Sequence, residues 1–468
     1  MRKKNRYFGS YLIFASKGEI LMTVLSSKDL STLAESLIEK FQNKTAIIGV
    51  VGLGYVGLPL AVEKAKAGFH VIGFDVQEKR TDMVNNGINF IGDVVDDDLR
   101  EIVQDKRLKA TTDYSLISEV DAVAICVPTP LDMYQQPDTS YVEASTKEIS
   151  KYIKPGMLVV LESTTYPGTT EELVRPILEG SGLRCGEDFF LAYSPERVDP
   201  GNKHFKTKNT PKVVGGVTND CTKVAASLYR SVLEGEVHEV SSPAVAEMEK
   251  IYENTFRHVN IALANEMAIL CNKMGIDVWE VIDAAKTKPY GFMPFYPGPG
   301  LGGHCIPIDP FYLTWKAREY NYHTKFIELA GEINNSMPDF VVEKMASILN
   351  DVKKPLNGSK VLLLGVAYKK DIDDLRESPV LKIIEILEQK GVLVAYHDPF
   401  IASFVHNGKC YESISLNKEV LESIDLTVVT TDHSDVDYSL VTEYANQILD
   451  TRNAMKNINQ DLENYFRL

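Results

Sequence analysis

The chain has 468 residues, more than one hydrophobic core usually organises, so two or three domains are expected. Its 44% hydrophobic and 25% charged content is ordinary for a globular protein, and a formal charge of −15 argues against nucleic acid as the main partner. No stretch approaches the roughly 20 apolar residues that span a bilayer, so no membrane partner is expected.

Residues 1–21 begin with a basic run and a short apolar segment that Gly9, Ser10 and Tyr11 interrupt and Lys17 closes. They read as an extension, with the native start expected at Met22, and 23–43 as a polar, helix-favouring lead-in. From 44 the pattern changes. Thr45 to Val51 is a β-branched run suited to a buried parallel strand. Gly52-Leu53-Gly54-Tyr55-Val56-Gly57 follows, then a helix over 58–67, a strand over 70–74, and Asp75. A bare GxGxxG is weak evidence, but between strand and helix, with an acid after the next strand, it has the context of a dinucleotide site. Gly52 makes the turn, Gly54 admits a pyrophosphate to the backbone, and Gly57 permits close helix–strand packing. Asp75 accepts from ribose hydroxyls and repels a 2′-phosphate, which favours NAD over NADP. Arg80 either lies beside the adenine or is solvated.

Strands expected at 121–127, 157–161 and 189–193 extend a doubly wound sheet across 44–241. Their carboxyl ends carry Val127-Pro128-Thr129-Pro130, Glu162-Ser163-Thr164-Thr165 and Ser194-Pro195-Glu196-Arg197, a hydroxyl- and carboxylate-rich surround for a nicotinamide.

A central helical region is expected over 242–353. Apolar residues at helical spacing from Met248 to Leu270 run without a breaker from Pro243 to Gly275, predicting a bridging or interface helix. Lys250 and Asn254 share one face of it, off the apolar stripe. More helix is expected at 277–287 and 310–349. Between these lies Gly298-Pro299-Gly300-Leu301-Gly302-Gly303-His304-Cys305-Ile306-Pro307-Ile308-Asp309-Pro310, where the glycines let other groups approach closely and a carboxylate follows the thiol. Cys305 is the candidate nucleophile; His304, its neighbour, points away and reads as structural. The other cysteines are scattered without CxxC spacing, which suits a reducing cytoplasm, and no second ligand near Cys305 suggests a metal.

After Pro355-Leu356-Asn357-Gly358 the opening plan recurs over 354–468: a strand from Lys360, a helix near 378–390, a strand at 392–396 and Asp398. This second unit has only Gly365 of the fingerprint. It either binds a different nucleotide or supports one. The fold class is α/β: two Rossmann-like doubly wound parallel sheets joined by a long-helix region.

From Lys44 to Arg452 the chain resembles the UDP-glucose/GDP-mannose dehydrogenase superfamily. The resemblance rests on the glycine fingerprint with Leu58-Pro59, Ser194-Pro195-Glu196, Lys250-Ile251-Tyr252-Glu253-Asn254, the cysteine loop, and Gly365-Val366-Ala367-Tyr368-Lys369-Lys370-Asp371 with Arg376-Glu377-Ser378. Arg197 after the glutamate and Ile308 before Asp309 look most like the UDP-N-acetylglucosamine 6-dehydrogenase branch. The resemblance implies oxidation of a UDP-sugar C6 alcohol to a carboxylate with two NAD⁺, through a thiohemiacetal and thioester on Cys305. It implies that Lys250 and Asn254 stabilise the C6 oxygen, that Asp309 with Lys250 orders water, and that Thr164 and Glu196 assist general-base steps. A lysine beside the thiol implies a more nucleophilic Cys305. Lys369 and Arg452 match nucleotide-holding positions and Arg376 a position near the cofactor. Gly302 and Arg197 join the substrate set, and Arg257, by its charge, reaches a diphosphate or an acyl group. A homodimer through the central helices is implied. The same chemistry on UDP-N-acetylmannosamine, UDP-N-acetylgalactosamine or UDP-glucose, a two-electron hydroxyacid-type dehydrogenase, and a non-catalytic nucleotide-sugar sensor are the alternatives.

Overall fold

The computed structural model describes residues 30–468 except 133, 200, 201, 203 and 459–461, and before residue 30 only the backbone pairing of Ala15–Ser16 with Glu19–Ile20. The expected extension and native start lie outside the described residues. Of the lead-in, Thr32–Gln42 is a helix whose N-cap Ser31 side chain accepts from the Ala34 amide.

The first sheet has eight strands: β1 Ile47–Val51, β2 His70–Phe74, β3 Leu108–Thr111, β4 Ala122–Ile125, β5 Leu158–Leu161, β6 Phe190–Tyr193, β7 Lys212–Gly216 and β8 Val237–Val240. They lie side by side as β8-β7-β6-β5-β4-β1-β2-β3. The six from β3 to β6 are parallel in the 3-2-1-4-5-6 order of a dinucleotide fold, with the crevice beside β1 and β4, where the winding reverses. β7 turns back antiparallel to β6, and β8 follows it in parallel. That returning pair was not legible, because Lys212 and the glycines at 215 and 216 break the β-branched run. Gly215 is forced by tertiary contact, since a Cβ there would stand 2.1 Å from the Ser242 carbonyl oxygen.

Pro243–Met274 is one helix of 32 residues, about 48 Å long at 1.5 Å per residue. Ser242 caps it through the Val245 amide, Pro243 opens it, and Gly275 closes it at φ 70°. Its buried face mixes polar groups with Ala246, Ile251, Ala262 and Ala268. Glu247, Lys250, Asn254, His258 and Asn265 are buried, whereas Met248, Tyr252, Leu263 and Leu270 are exposed. The helix expected over 310–349 is two helices, Asp309–Ala317 and Lys325–Asp351. A 3-10 turn Arg318–Tyr320 follows the first, and Asn321 ends it in the left-handed region at φ 53°, a local choice that periodicity does not announce.

Lys325–Asp351 crosses the central helix through an Asn265–Asn334 side-chain bond of 2.9 Å. Its later turns (Val341, Met345, Leu349) enter the core of the C-terminal unit with Val361, Ile383 and Leu387. That unit holds a second parallel sheet. Its strands are β9 Lys360–Leu364 and β10 Leu393–His397, then, past a hairpin of β11 Ser403–His406 and β12 Lys409–Glu412, β13 Leu426–Val429, β14 Ile448–Asp450 and β15 Tyr465–Arg467. The order is β10-β9-β13-β14-β15. At the end of β10, Asp398 Oδ2 accepts from the Val366 and Ala367 amides and bonds His433 Nε2 at 3.1 Å. The carboxylate position that would meet a ribose is thus closed by protein.

Gly57 makes the tightest demand in the first unit. An added Cβ would sit 1.8 Å from the Gly52 carbonyl oxygen. Gly57→Ala is expected to exceed the ~1–3 kcal/mol of ordinary overpacking and to weaken NAD binding, read by thermal melts with and without NAD.

Candidate active site

The glycine turn stands open where a dinucleotide requires space. Nothing lies within 4 Å of a Cβ built on Gly54, and Gly52 holds φ +90°. Asp75 is buried, with Oδ2 accepting from the Leu53 amide at 2.9 Å and Oδ1 from the Gln77 amide at 2.9 Å. Oδ1 keeps a second lone pair for a ribose hydroxyl, whereas Oδ2 also accepts from Arg80. Arg80 lies 3.4 Å from Asp75, and Tyr55 and Val56 are partly open on the turn. These residues fit NAD.

Two strand-end hydroxyls are already engaged. Thr129 Oγ1 donates to the Thr164 carbonyl at 2.7 Å, and Ser163 Oγ donates to the Val127 carbonyl at 2.7 Å. Both are buried and hold the surround together, while Pro128 is exposed and Thr164 half-buried. The Tyr312 hydroxyl donates to the Thr129 carbonyl, which ties this surround to the helix that begins at Asp309.

Cys305 is exposed to an open cleft, though protein packs closely around it. Asp309 is buried one helical turn away, its amide donating to the Cys305 carbonyl at 2.8 Å. Asn254 Nδ2 donates to Asp309 Oδ2 at 2.6 Å, and Lys250 is buried one turn earlier on the central helix. The helix face that carries Lys250 and Asn254 therefore meets the cysteine loop. Dense surroundings and the Asp309 carboxylate push the thiol up to about 11, against the pull of Lys250, Arg376 and Arg257. The expectation of a thiolate favoured by Lys250 is corrected: the lysine's pull is present but loses to desolvation. The proton therefore needs an acceptor. Burial raises Asp309 to about 7, with Lys250 and Asn254 opposing, which suits a general base at neutral pH.

Glu196 occupies a different setting. It accepts from the Arg197 and Val198 amides at 2.8 and 3.0 Å and from Lys212 Nζ at 3.2 Å. Although burial alone would raise it, Lys212 and the two amides hold it below the usual carboxylate range. That suits an orienting anion better than the expected proton acceptor. Arg197 is engaged by protein groups. Its guanidinium pairs with Glu253, lies 3.5 Å from Glu249 and donates to the Pro211 carbonyl at 3.0 Å.

The cysteine-loop glycines admit the C-terminal unit. A Cβ on Gly302 would lie 2.5 Å from Tyr368 Cβ, and one on Gly298 would lie 2.5 Å from Arg452 Nη1. Gly302 is thus a packing position, where a substrate contact was expected. The Gly303 amide donates to the Arg376 carbonyl at 3.0 Å, and the Arg376 guanidinium lies 4.1 Å from the Tyr55 ring centroid, over the dinucleotide turn. Lys369 bonds Asp199 at 2.8 Å across the same gap, and Arg452 Nε donates to the Thr430 carbonyl at 2.9 Å. Arg257 is exposed. A cavity of about 460 Å³ opens between these parts, lined by Pro130, Leu131, His304, Pro307, Phe311 and Arg376 among others. His304, read as structural, therefore faces that space. Sequence reasoning assigned no role to Lys212, Glu253, Asp199 or Tyr368, whose only local signal was a place within or near recognised motifs.

A carboxylate raised to about 7 in the folded state binds its proton more tightly than in the unfolded chain. Its term in stability is therefore lost as pH rises from about 4 to about 7. Asp309→Asn is expected to melt higher than the parent at pH 8, with a smaller difference at pH 5, and to lose at least about 100-fold in turnover. Melts at both pH values and initial rates check this.

Three models of the UDP-glucose/GDP-mannose dehydrogenase family match in order: the NAD binding domain at 46–233, the central domain at 244–336 and the UDP binding domain at 362–457. A UDP-N-acetyl-D-glucosamine 6-dehydrogenase of Pseudomonas aeruginosa is 41% identical over 76% of this chain and 83% of its own. A UDP-N-acetyl-D-mannosamine dehydrogenase of Pyrococcus horikoshii is 37% identical over 82% of this chain and 89% of its own. A solved structure of UDP-D-ManNAc dehydrogenase from that organism superposes with a TM-score of 0.82 at 34% identity, covering 90% of this chain and 98% of that one. With the glycine turn, the cysteine cleft and a second parallel sheet in one crevice, the chain belongs to the UDP-glucose/GDP-mannose dehydrogenase family of NAD-dependent nucleotide-sugar dehydrogenases.

Proposed function

We propose that this protein oxidises the C6 alcohol of a UDP-sugar, preferentially UDP-N-acetylglucosamine, to the carboxylate through a thioester on Cys305. The observation that supports it best is an open thiol beside a buried carboxylate, amide and lysine. Gly52–Gly57 and Asp75 would hold NAD⁺, which would supply the hydride acceptor, one equivalent for each of the two oxidations. Asp309 takes the C6 hydroxyl proton as the alcohol becomes an aldehyde. Asp309 passes that proton to solvent, after which Cys305 Sγ bonds to C6 and its own proton passes to Asp309, while Lys250 and Asn254 carry the charge growing on the C6 oxygen. Loss of the second hydride from C6 leaves the thioester. Asp309 releases its proton to solvent again, water adds to C6 with its proton going to Asp309, and as the C–S bond breaks the sulfur takes that proton back from Asp309 while the product acid loses its own to solvent. Glu196, held ionised, orients the sugar, with Lys369 and Arg452 on the nucleotide side and Arg257 near the diphosphate.

The preference for UDP-N-acetylglucosamine rests on the residues around Glu196 and Cys305 and on the Pseudomonas relative. UDP-N-acetylmannosamine is the second reading, favoured by the similarity to the Pyrococcus enzyme. The exposed apolar residues of the central helix support a homodimer formed along it. All six cysteines are free, which supports a reducing, cytoplasmic setting, and no helix among the described residues is long and apolar enough to cross a membrane.

A panel of UDP-sugars is expected to yield about two NADH per sugar consumed, with UDP-N-acetylglucosamine turned over fastest. Cys305→Ser is expected to abolish turnover. Unaltered turnover in that variant, or about one NADH with free aldehyde accumulating, contradicts the thioester route.

A further inference from the structure

A buried chain of alternating charge runs behind the strand ends and terminates at Glu196. It starts at Lys64, in the helix Gly57–Lys66 that follows the glycine turn. Lys64 is 0% exposed, its Nζ lies 3.7 Å from Glu162 Oε1, and it makes no hydrogen bond among the described residues. Glu162, at the end of β5, accepts from the Tyr229 hydroxyl at 2.6 Å and from Lys212 Nζ at 2.7 Å. Lys212, the first residue of β7, reaches on to Glu196 Oε2 at 3.2 Å. Both lysines lie near the Tyr229 ring, 5.6 and 5.2 Å from its centroid.

Two ammonium groups and two carboxylates withdrawn from water are costly, and apolar packing would close the strand ends at lower cost. Their arrangement is directional. The Glu196 side chain is 14% exposed, whereas Lys212 is 4% and Glu162 and Lys64 are 0% exposed. A carboxylate held by one ammonium group and two backbone amides has a single orientation available.

We propose that Lys212 is a positioning residue: its ammonium group fixes the Glu196 carboxylate towards the sugar and is itself fixed by Glu162, which faces the dinucleotide helix through Lys64. The reaction it serves rests on the reading in the preceding section; the charge chain does not. The charged and titratable groups that face Glu196 are Lys212 of β7, Lys64 of the dinucleotide helix, Cys126 beyond β4 and the neighbouring Arg197, with Glu162 and Tyr229 behind Lys212. Without Lys212 two carboxylates would share the space with Lys64 alone, and one of them would take up a proton.

The test compares wild type with Lys212→Met and with Lys212→Met/Glu162→Gln. The double variant also removes the carboxylate that the single change strands. Its new amide oxygen at position 162 can still accept from Tyr229. With UDP-N-acetylglucosamine and NAD⁺, the double variant is expected to lose about tenfold to a hundredfold in kcat, with KM for NAD⁺ changed less than about twofold. The acid limb of its kcat profile should move to higher pH. Thermal unfolding against pH provides a readout without turnover. A lowered carboxylate contributes stability that is present above its unfolded value and lost as pH falls through its folded value, so the double variant should lose part of that acid-side dependence beyond what Glu162→Gln alone removes. Wild-type kcat profile and wild-type acid-side melting together in the double variant would overturn the proposal. If the wild type forms no NADH with any UDP-sugar, the functional reading falls, and the melting comparison alone decides whether Lys212 holds Glu196.

Discussion

A carboxylate out of water beside a thiol is the constraint on which the rest of this structure depends. Asp309 ionises near neutral pH only because burial opposes the Lys250 charge and the Asn254 bond. That balance needs the central helix to turn a polar face inward, which it does through Glu247, Lys250, Asn254 and His258. The exposed apolar residues on its other side are the counterpart of that choice. Hydrophobic burial drives the fold as a whole, but along this helix the chemistry decides which face is covered.

The crevice is assembled from distant parts of the chain, and the glycines of the cysteine loop allow it. Tyr368, Pro379 and Arg452 of the C-terminal unit come within 3 Å of positions where side chains on Gly302, Gly300 and Gly298 would begin. From there Arg376 covers Tyr55 of the dinucleotide turn and Lys369 reaches Asp199. Cofactor turn, thiol and nucleotide-holding residues are thereby tied by contacts among three segments.

The two parallel sheets show how one plan acquires two uses. Asp75 and Asp398 both stand after the second strand of their units, and both accept backbone amides from the turn after the first strand. Asp75 stands beside a turn left open at Gly54, while His433 bonds Asp398 and seals it. The expectation that the second unit either binds a different nucleotide or supports one agrees with this difference.

Sequence alone determined the strand-turn-helix order, the dinucleotide turn, the long helix with its proline start and glycine stop, and the pairing of a glycine loop with Cys305. These are local properties: periodicity, caps and backbone freedom act within a few residues. Tertiary structure decided the rest. It broke the helix expected over 310–349 at Asn321, turned Arg197 to Glu253, and joined Lys212 to Glu162 and Glu196 across 50 and 16 positions. It also set the burial that pushes both Cys305 and Asp309 up. Charge interactions and desolvation depend on distance and burial in space, and neither is written in the spacing of residues along a chain.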